Sequence, residues 1–228
     1  MKWVNNKSRW EDGLNEDPEG MAEEMAHELN NTLVATLMQL SLVLSRPGLD
    51  ASVKDSIIEI EEALQDASDL SRMLLTFSRG EPSQMIPGSD ALPTSEESVT
   101  GSETILLVED EAVVRRNTAL CLRKLGYAVL EACQADEALK IWRQNPGRIE
   151  LLLTDMVMPD SSDGLTLAGD LMRERTGLKV ILTSGFPLKI DSANIVQLLK
   201  PYRPGYLARV IRHCLDDNGP HHLQIDLV

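Results

Sequence analysis

Residues 150–158 read ELLLTDMVM, and this stretch decides the fold. Its leucines follow one another without the polar alternation of a strand that has one face in water, so a strand here would be buried on both faces. Such strands are typical of a parallel sheet that is covered by helices on each side. The apolar run is followed at once by Asp155, so we predict a buried parallel strand with this aspartate at its carboxyl end.

Short apolar runs like this one alternate with amphipathic segments on both sides of it. The predicted strands are TILLVED (104–110), AVLEA (128–132), ELLLTDMVM, KVILTS (179–184) and IVQLLKP (195–201). The predicted helices cover residues 112–125, 135–144, 165–174 and 206–215. Because strands and helices alternate, we predict an α/β fold with a doubly wound, five-stranded parallel sheet over residues 104–216.

Polar side chains stand where four of these strands end, namely Glu109, Asp110, Asp155, Thr183 and Lys200. The carboxyl ends of parallel strands share one edge of the sheet, and ligands bind there in such folds. Three carboxylates gathered at that edge repel one another unless a cation is bound or their pKa values are raised, and oxygen ligands suit Mg²⁺. A single aspartate is usually a solvated turn residue, but the shared edge favours a site for Mg²⁺ and a phosphoryl group.

Residues 104–216 resemble a response-regulator receiver domain through the motifs ILLVEDE, LLLTDMVMPD, ILTSG and LLKP, in the order and spacing of that family. The resemblance implies a flavodoxin-like fold in which Asp155 is the phosphoacceptor. It further implies that Mg²⁺ is held by Glu109, Asp110, Asp155 and the backbone carbonyl of Val157. In that chemistry the Asp155 carboxylate attacks phosphorus in line and becomes an acyl phosphate.

The same resemblance implies that Thr183 hydrogen-bonds the phosphoryl group, that Lys200 neutralises it and that the peptide bond before Pro201 is cis. Two features depart from the family pattern. Gln197 stands where receivers usually have Tyr or Phe, three residues before the lysine, and residues 185–194 leave little room for a helix with its loops. We therefore expect the fourth receiver helix to be stunted or absent and the usual output face to be altered, with the phosphorylation chemistry intact.

Two further helices are predicted before this region, over residues 19–45 and from a capping Asp50 to residue 78. Mostly apolar positions spaced three and four apart define one buried stripe on each helix. The first stripe is Met25, Leu29, Leu33, Thr36, Leu40 and Leu44, and the second is Ile57, Ile60, Leu64, Ala67, Leu70, Leu74 and Phe77. Because two helices bury little surface, we predict an all-α hairpin over residues 19–79 that pairs with a second copy as a four-helix bundle.

The first helix contains MAHELNNTL at residues 25–33, in which His27 lies about 200° around the helix from Met25. His27 therefore faces away from the stripe, and Asn31 follows one turn later on the same face. AHELNNTL and the hairpin end LLTFSRG resemble the dimerisation and phosphoacceptor domain of sensor histidine kinases. The resemblance implies that His27 carries a phosphoryl group, that Glu28 is its base or orienting group, and that Asn31 positions a water for dephosphorylating a partner. The alternative is that these are ordinary polar residues of a helix surface.

An apolar strip of Val34, Met38 and Leu42 continues the face that carries His27. An exposed strip of this kind is unusual without a partner. Two arrangements account for it. The strip packs against the second helix of the hairpin, or it receives the first helix of a receiver, predicted here around residues 113–122.

Composition excludes several classes of function. The formal net charge of −14 argues against a nucleic-acid-binding surface, which needs clustered lysine and arginine. The most apolar run, residues 33–44, is shorter than the ~20 residues of a membrane-spanning helix. The three cysteines are scattered and form no metal-ligand or redox spacing. We therefore expect a reduced cytoplasmic protein with neither a nucleic-acid nor a membrane partner.

Residues 80–103 are rich in proline, glycine, serine and acidic residues, and they are predicted to form a flexible linker, with tails at residues 1–18 and 217–228. A linker of this length cannot form an ATP-binding domain, and the sequence contains no glycine-rich motif for binding nucleotide phosphates. We therefore expect no autokinase activity from this chain alone.

These features together predict a two-component or phosphorelay protein, in which Asp155 accepts a phosphoryl group from phosphohistidine and His27 is a second phosphoryl station. Its partners would be histidine kinases or response regulators, and it would form a homodimer through the hairpin. The lack of an ATP-binding domain and the presence of Gln197 support a different hypothesis, a non-catalytic dimeric regulator. A third hypothesis, a phosphatase of a partner regulator, depends on Asn31 alone.

Overall fold

The structure is a computed structural model that describes residues 18–78, 99–158, 163–187, 190, 192 and 194–216, with side chains of the first two helices described over residues 25–71. The predicted tails, most of the predicted linker, and the side chains of Leu74 and Phe77 lie outside the described residues. Within the described part of the chain, no helix combines the length and the apolar character needed to cross a membrane.

Two long helices come first, α1 (Pro18–Leu44) and α2 (Ala51–Ser78), close to the predicted bounds. The turn between them contains Gly48, whose φ of 78° lies in the left-handed region that glycine adopts without steric cost. Asp50 caps α2, because its Oδ1 accepts hydrogen bonds from the backbone N–H of Ser52 at 2.8 Å and from the Ser52 hydroxyl at 2.6 Å. Both predicted helices and the predicted cap are thus confirmed.

The rest of the described chain forms one parallel sheet of five strands with helices between most of them. In chain order the elements are β1 (Thr104–Val108), α3 (Ala112–Lys124), β2 (Ala128–Ala132), α4 (Ala135–Gln144), β3 (Ile149–Asp155), α5 (Gly164–Glu174), β4 (Lys179–Ser184), β5 (Ile195–Leu199) and α6 (Pro204–Asp216). The strand order β2-β1-β3-β4-β5 is that of flavodoxin-like folds. The predicted α/β fold class is therefore confirmed.

Apolar layers cover both faces of the sheet. One face packs against α4 and α5, through residues that include Trp142 and Leu171. The other face packs against α3 and α6, through residues that include Leu122, and this layer also takes in Val34 and Met38 of α1. The hairpin therefore contributes side chains to the hydrophobic core of the sheet region.

Only part of each predicted stripe is buried within the single chain. Met25 and Leu29 of α1 are 49% and 43% exposed, and Ile60 and Leu70 of α2 are 47% and 59% exposed. The apolar residues that α1 buries are Leu33, Val34, Leu37 and Met38. The physical reason is that α1 packs against α2 on one side and against α3 on another, which the period of a single stripe does not describe.

The chain between β4 and β5 is short. The described residues of this segment, 185–187, 190, 192 and 194, contain no helix, which agrees with the expectation for the fourth receiver helix. Gln197 on β5 donates hydrogen bonds from Nε2 to Ser184 Oγ and to the carbonyl of Phe186, each at 2.8 Å. Gln197, which stands in place of an aromatic residue, therefore stabilises the position of the segment that follows β4.

Candidate functional site

The acidic residues predicted at the sheet edge do meet. Glu109 and Asp110 follow β1, Asp155 ends the neighbouring β3, and one carboxylate oxygen of each lies within 4.8 Å of the others. Glu109 and Asp155 are buried, and Asp110 is half-buried. Because β1 and β3 pair in register up to Val108 and Thr154, the parallel pairing itself brings these carboxylates together.

Lys200 follows β5, lies among these acids and is 0% exposed. Its Nζ lies 2.6 Å from Asp155 Oδ2 and 2.9 Å from Glu109 Oε2. Burial alone would lower the pKa of Lys200, but the Asp155 and Glu109 carboxylates raise it above its usual value. Lys200 is therefore a charged ammonium that offsets part of the acidic cluster. The peptide bond before Pro201 is cis, as predicted.

The acidic cluster still holds more negative charge than Lys200 neutralises. Burial, opposed by Lys200 and aided by the Asp155 charge, raises the pKa of Glu109 to about 7. Burial and Asp155 also raise the pKa of Asp110. Three buried oxygens, Glu109 Oε1, Asp110 Oδ1 and Asp155 Oδ1, have no hydrogen-bond partner among the described residues. Such oxygens are ligands for a hard divalent cation, so the residues present fit Mg²⁺.

Two more predicted site residues lie at the same edge. Thr183 is the register partner of Asp155 between β3 and β4, and its hydroxyl donates to the Thr154 carbonyl at 3.4 Å. Val157 lies two residues beyond Asp155 and has an exposed side chain. Only its backbone carbonyl is predicted to take part in the site. The roles assigned to Thr183 and Val157 stay predictions.

The sequence does not predict Arg115 as a site residue, yet its side chain stabilises the backbone of the acidic turn after β1. Its Nη1 donates to the backbone carbonyl of Glu109 at 2.6 Å and to that of Asp110 at 3.2 Å. These contacts hold the turn without neutralising either carboxylate directly. An arginine five residues after an acidic pair gives no sequence signal for carbonyl contacts, so only the folded structure reveals this role.

A second unpredicted contact joins the hairpin to the acidic cluster. The buried Asn31 of α1 accepts a hydrogen bond at Oδ1 from Lys200 Nζ at 3.0 Å. Its Nδ2 lies 3.0 Å from Nε2 of the half-buried His27, whereas Glu28 is exposed. The prediction that His27 and Asn31 share one helix face is confirmed. The contact with Lys200 joins positions that are 169 residues apart, and no local pattern indicates it.

The direction of these hydrogen bonds follows from the chemistry of Lys200. An ammonium only donates, so the Asn31 atom that faces it is the amide oxygen. The amide nitrogen of Asn31 then faces His27 and can only donate, which makes Nε2 of His27 an acceptor and leaves the ring proton on Nδ1.

α1 rests on α3 through the predicted apolar strip. Val34 and Met38 are fully buried there. Asn117 of α3 donates from Nδ2 to the Ala35 carbonyl at 3.2 Å, and Cys121 Sγ lies 3.8 Å from the carbonyl oxygen of Met38. Of the two arrangements that the sequence left open, the structure shows packing against the first helix of the sheet region.

Asn30 is a further buried residue of α1 that was not predicted. Its Oδ1 accepts a hydrogen bond from the hydroxyl of Ser71 on α2 at 3.0 Å. Its Nδ2 is buried and has no hydrogen-bond partner in the part of the chain that is described. This nitrogen lies close to Gly185, since a Cβ atom added at that glycine would be 3.1 Å from it. α2 contacts the sheet region as well, since Arg203 Nε donates to Gln65 Oε1 at 3.3 Å. α1 therefore packs on the sheet region beside the acidic cluster, and α2 contacts the sheet region through Gln65.

Comparison with known proteins concerns the sheet region. Residues 105–209 match the family model described as the response regulator receiver domain. Over 124 residues the chain is 34% identical to the sensor kinase CckA of Brucella abortus. These aligned residues cover 52% of this chain and 13% of that protein. Over 117 residues it is 29% identical to the probable transcriptional regulator ycf27 of Cyanidium caldarium, covering 49% of this chain and 45% of that protein. The chain thus spans less than half the length of these curated relatives.

Solved structures give matches of similar extent. The receiver domain of the hybrid histidine kinase CckA is 37% identical, with a TM-score of 0.42, covering 49% of this chain and 98% of that one. The response regulator TrrA of Thermotoga maritima in complex with Mg²⁺ and BeF is 26% identical, with a TM-score of 0.45, covering 50% of this chain and 99% of that one. The family model does not extend to α1 and α2, so it does not bear on the hairpin.

Proposed function

We propose that this chain, in which residues 105–209 form a response regulator receiver domain of two-component signalling, is a phosphotransfer protein with Asp155 as its phosphoacceptor. The observation that carries the proposal is the cluster of the buried Glu109 and Asp155 and the half-buried Asp110 beside the ammonium of Lys200. The proposal includes Mg²⁺ as the cofactor and histidine kinases or response regulators as partners. The phosphoryl group is proposed to come from such a partner.

Asp155 reacts through one of its carboxylate oxygens. In transfer from a phosphohistidine, a bond forms between this oxygen and phosphorus while the N–P bond breaks. The electron pair of the broken bond stays on the donor nitrogen, which takes up a proton. Lys200 holds Asp155 Oδ2 at 2.6 Å, whereas Oδ1 has no hydrogen-bond partner among the described residues. The carboxylate is thus oriented, with one oxygen that no donor among the described residues engages.

The transferred phosphoryl group brings negative charge to a buried acidic pocket, and two side chains of the pocket offset it. The Lys200 ammonium pairs with one phosphoryl oxygen, and the Thr183 hydroxyl, which neighbours Asp155 in the sheet, donates to another. Mg²⁺, when held by the three carboxylates and the Val157 carbonyl, supplies the remaining positive charge. This division of charge is what lets a carboxylate act as nucleophile toward an anionic group.

His27 is proposed as a second phosphoryl station. The support is that Asn31 joins His27 to Lys200 of the acidic cluster, and that Nε2 of His27 is the unprotonated ring nitrogen. A neutral imidazole reacts through that lone pair. Glu28 is proposed to hold the proton on Nδ1 during the transfer. Asn31 must release Nε2 before a phosphorus atom can approach it.

Exposed apolar side chains support a homodimer through the hairpin. Met25 and Leu29 on α1, and Ile60 and Leu70 on α2, are large, apolar and exposed in the single chain. Exposed apolar surface is unfavourable in water, and pairing with a second hairpin as a four-helix bundle would cover it. The homodimer is therefore part of the proposal.

A non-catalytic regulator is the second candidate. The observation that favours it is the docking of the hairpin on the receiver of the same chain, where Asn31 contacts Lys200. In that case phosphorylation of Asp155 would control the docking, and His27 would never carry a phosphoryl group. A phosphatase role for Asn31 is less favoured, because both atoms of its amide are engaged in hydrogen bonds.

Phosphotransfer assays test the proposal. The protein is incubated with Mg²⁺ and either labelled acetyl phosphate or a labelled phosphohistidine protein. We expect a base-labile acyl phosphate on the wild type and none on Asp155→Asn, because the nucleophile has been removed. Asp136→Asn, which changes an exposed aspartate of α4, is the matched control. Labelling of Asp155→Asn at the wild-type level would overturn the proposal.

The histidine station has its own assay. An acid-labile, base-stable label that is present on the wild type and lost in His27→Gln supports it. Equal label on both proteins, all of it on Asp155, would instead favour the non-catalytic regulator.

A further inference from the structure

We propose that the hairpin is the output element of this receiver: a phosphoryl group on Asp155 draws Lys200 away from Asn31, and α1 then separates from α3. This inference rests on the proposed role of Asp155 as phosphoacceptor. One lysine contacts both the acceptor carboxylate and the helix that carries His27, so the two sites are joined directly. The signal leaves through the interface between hairpin and sheet region.

Lys200 has no spare hydrogen-bonding capacity. An ammonium carries three N–H donors. Its three acceptors are Asp155 Oδ2 at 2.6 Å, Glu109 Oε2 at 2.9 Å and Asn31 Oδ1 at 3.0 Å. A phosphoryl oxygen that binds Lys200 must therefore replace one of them. In the acyl phosphate Asp155 Oδ2 becomes a neutral carbonyl oxygen, but the new phosphoryl group is on the same side chain, so Lys200 can bind it while staying beside Asp155. Asn31 Oδ1 is a neutral acceptor at the longest of the three distances, and its bond is the one that a charged phosphoryl oxygen replaces.

Loss of this hydrogen bond weakens the docking of α1. Asn31 is buried, so its Oδ1 would become a buried acceptor without a donor, which is unfavourable. The neighbouring Asn30 already buries an amide nitrogen that has no partner among the described residues. Water can hydrogen-bond both amides once α1 moves away from the acidic cluster. The same movement separates Asn31 from the pocket while leaving His27 on the released helix.

The segment after β4 is joined to Lys200 through the backbone, because the Lys200 N–H donates to the Ser184 carbonyl at 2.7 Å. Gln197 bonds Ser184 Oγ and the Phe186 carbonyl, and neither of these hydrogen bonds includes Lys200 or a carboxylate of the acidic cluster. The described residues between β4 and β5 also contain no helix whose position could change. The ammonium of Lys200, unlike its backbone N–H, bonds Asn31 of α1, so a movement of this side chain acts on α1.

The docking of α1 on α3 can be measured through the alkylation rates of the three native cysteines, so no cysteine has to be introduced. Cys121 on α3 is buried beneath α1, with its Sγ 3.8 Å from the carbonyl oxygen of Met38. Cys133 is exposed and serves as the control for reagent activity. Cys214 is buried on α6 and serves as the control for general unfolding. Alkylation followed by peptide mass mapping gives a separate rate for each thiol.

The experiment uses the full chain with Mg²⁺ alone and with Mg²⁺ plus beryllium fluoride, which mimics an acyl phosphate. With beryllium fluoride, we expect the alkylation rate of Cys121 to rise about tenfold or more, because thiol reactivity follows access. The rates of Cys133 and Cys214 should not change. Mg²⁺ alone should leave Cys121 protected, because the cation binds carboxylates and not Lys200. Faster reaction with Mg²⁺ alone would contradict the proposed role of the lysine.

Binding of beryllium fluoride is measured separately by fluorine NMR. This measurement distinguishes failure of the output role of the hairpin from failure of the phosphoacceptor assignment. If the mimic binds and Cys121 stays protected, the output role of the hairpin is overturned while Asp155 keeps its assignment as phosphoacceptor. If the mimic does not bind even with Mg²⁺, the assignment of Asp155 fails, and the output role fails with it.

A matched pair of variants tests the hydrogen bond itself. Asn31→Leu removes the acceptor of Lys200, whereas Gln39→Leu removes an exposed amide on the same helix. Without beryllium fluoride, Asn31→Leu should expose Cys121 about as much as the mimic does in the wild type, and Gln39→Leu should keep it protected. Protection of Cys121 in a folded Asn31→Leu variant would overturn the inference.

Asn31→Asp supplies a test that does not depend on the leucine variant. Its carboxylate would give Lys200 a charged acceptor in the same place, so the lysine would leave it less readily. Beryllium fluoride should then increase the Cys121 rate less than in the wild type. An increase equal to that of the wild type would contradict the competition for Lys200. Circular dichroism of each variant checks that the helices are retained.

Discussion

The edge of the sheet and the hairpin bring polar groups into the interior by different means. At the sheet edge, Glu109, Asp155 and Lys200 follow strand ends that parallel pairing brings together, and their charges partly offset one another. On the hairpin, Asn30 and Asn31 are neutral amides that become buried because α1 packs on the sheet region. The acidic cluster therefore belongs to the fold of the sheet, whereas its contact with the hairpin depends on a few replaceable side chains.

The largest effect is expected at the sheet edge, when its buried cation is removed. Lys200→Met leaves Glu109 and Asp155 buried without their ion-pair partner, so the free energy of unfolding should fall by about 3–5 kcal/mol in Mg²⁺-free buffer. Urea denaturation measures the change, with Lys140→Met on the exposed surface of α4 as control. A loss no larger than that of the control would show that the cluster does not need the ammonium.

The next effect compares two methionines of the hairpin. Met38→Ala removes a fully buried side chain from the layer that α1 shares with the sheet, and it should cost about 2–5 kcal/mol of unfolding free energy. Met25→Ala changes a side chain that is exposed in the single chain and should stay within about 0.5 kcal/mol at protein concentrations that keep the chain monomeric. Equal losses for both variants in urea denaturation would contradict the docking of α1 on α3.

A smaller effect concerns pH and Mg²⁺ at the sheet edge. The pKa of Glu109 is raised to about 7, so the folded protein keeps a proton there at pH values at which an unfolded glutamate has lost it. Without Mg²⁺, this group should therefore make the protein less stable as the pH rises from about 5 to about 8. Mg²⁺ needs the ionised carboxylate, so its affinity should rise about tenfold between pH 6 and pH 8.

Titration calorimetry at several pH values, together with thermal unfolding, checks the effect of Glu109. Glu109→Gln cannot titrate and should lose most of the pH dependence of Mg²⁺ affinity. A wild-type affinity that is the same at all these pH values would mean that Glu109 is ionised throughout, contrary to its raised pKa.

The smallest effect is expected from one hydrogen bond at the interface. Asn117→Ala removes the donor to the Ala35 carbonyl and should lower the free energy of unfolding by about 1 kcal/mol. Arg116→Ala changes an exposed neighbour on α3 and serves as the control. The Asn117 variant should also raise the alkylation rate of Cys121 modestly. Unchanged stability together with an unchanged Cys121 rate would show that this bond does not hold the hairpin in place.

Most of the sheet region could be predicted because its signals are local. The central strands β1, β3 and β4 are mostly apolar runs, and the polar residues at or just after the ends of β1, β3 and β5 are predicted as site residues for that reason. Arg115 escaped prediction because its partners are backbone carbonyls, which are present at every residue and so leave no sequence pattern. The short segment before Gln197 was predicted from its length alone.

The hairpin shows where such prediction ends. Apolar spacing and the cap at Asp50 predict both helices, yet Met25 and Leu29, which begin the predicted stripe, are exposed in the single chain. A helix with two neighbours has two apolar faces, and spacing does not say which neighbour covers which face. Spacing predicts an apolar strip that includes Val34, but it leaves open whether α2 or α3 covers this strip.

The sequence by itself determined the order of strands and helices and the acids at the sheet edge, because buried parallel strands require continuous apolar runs and carry the residues after them to one side. Only the tertiary structure decided that α1 packs on α3 and that Asn31 meets Lys200. The physical reason is that these contacts join residues far apart in the chain. Their energy exists only after two separate helical surfaces have come together, so no local pattern of residues carries it.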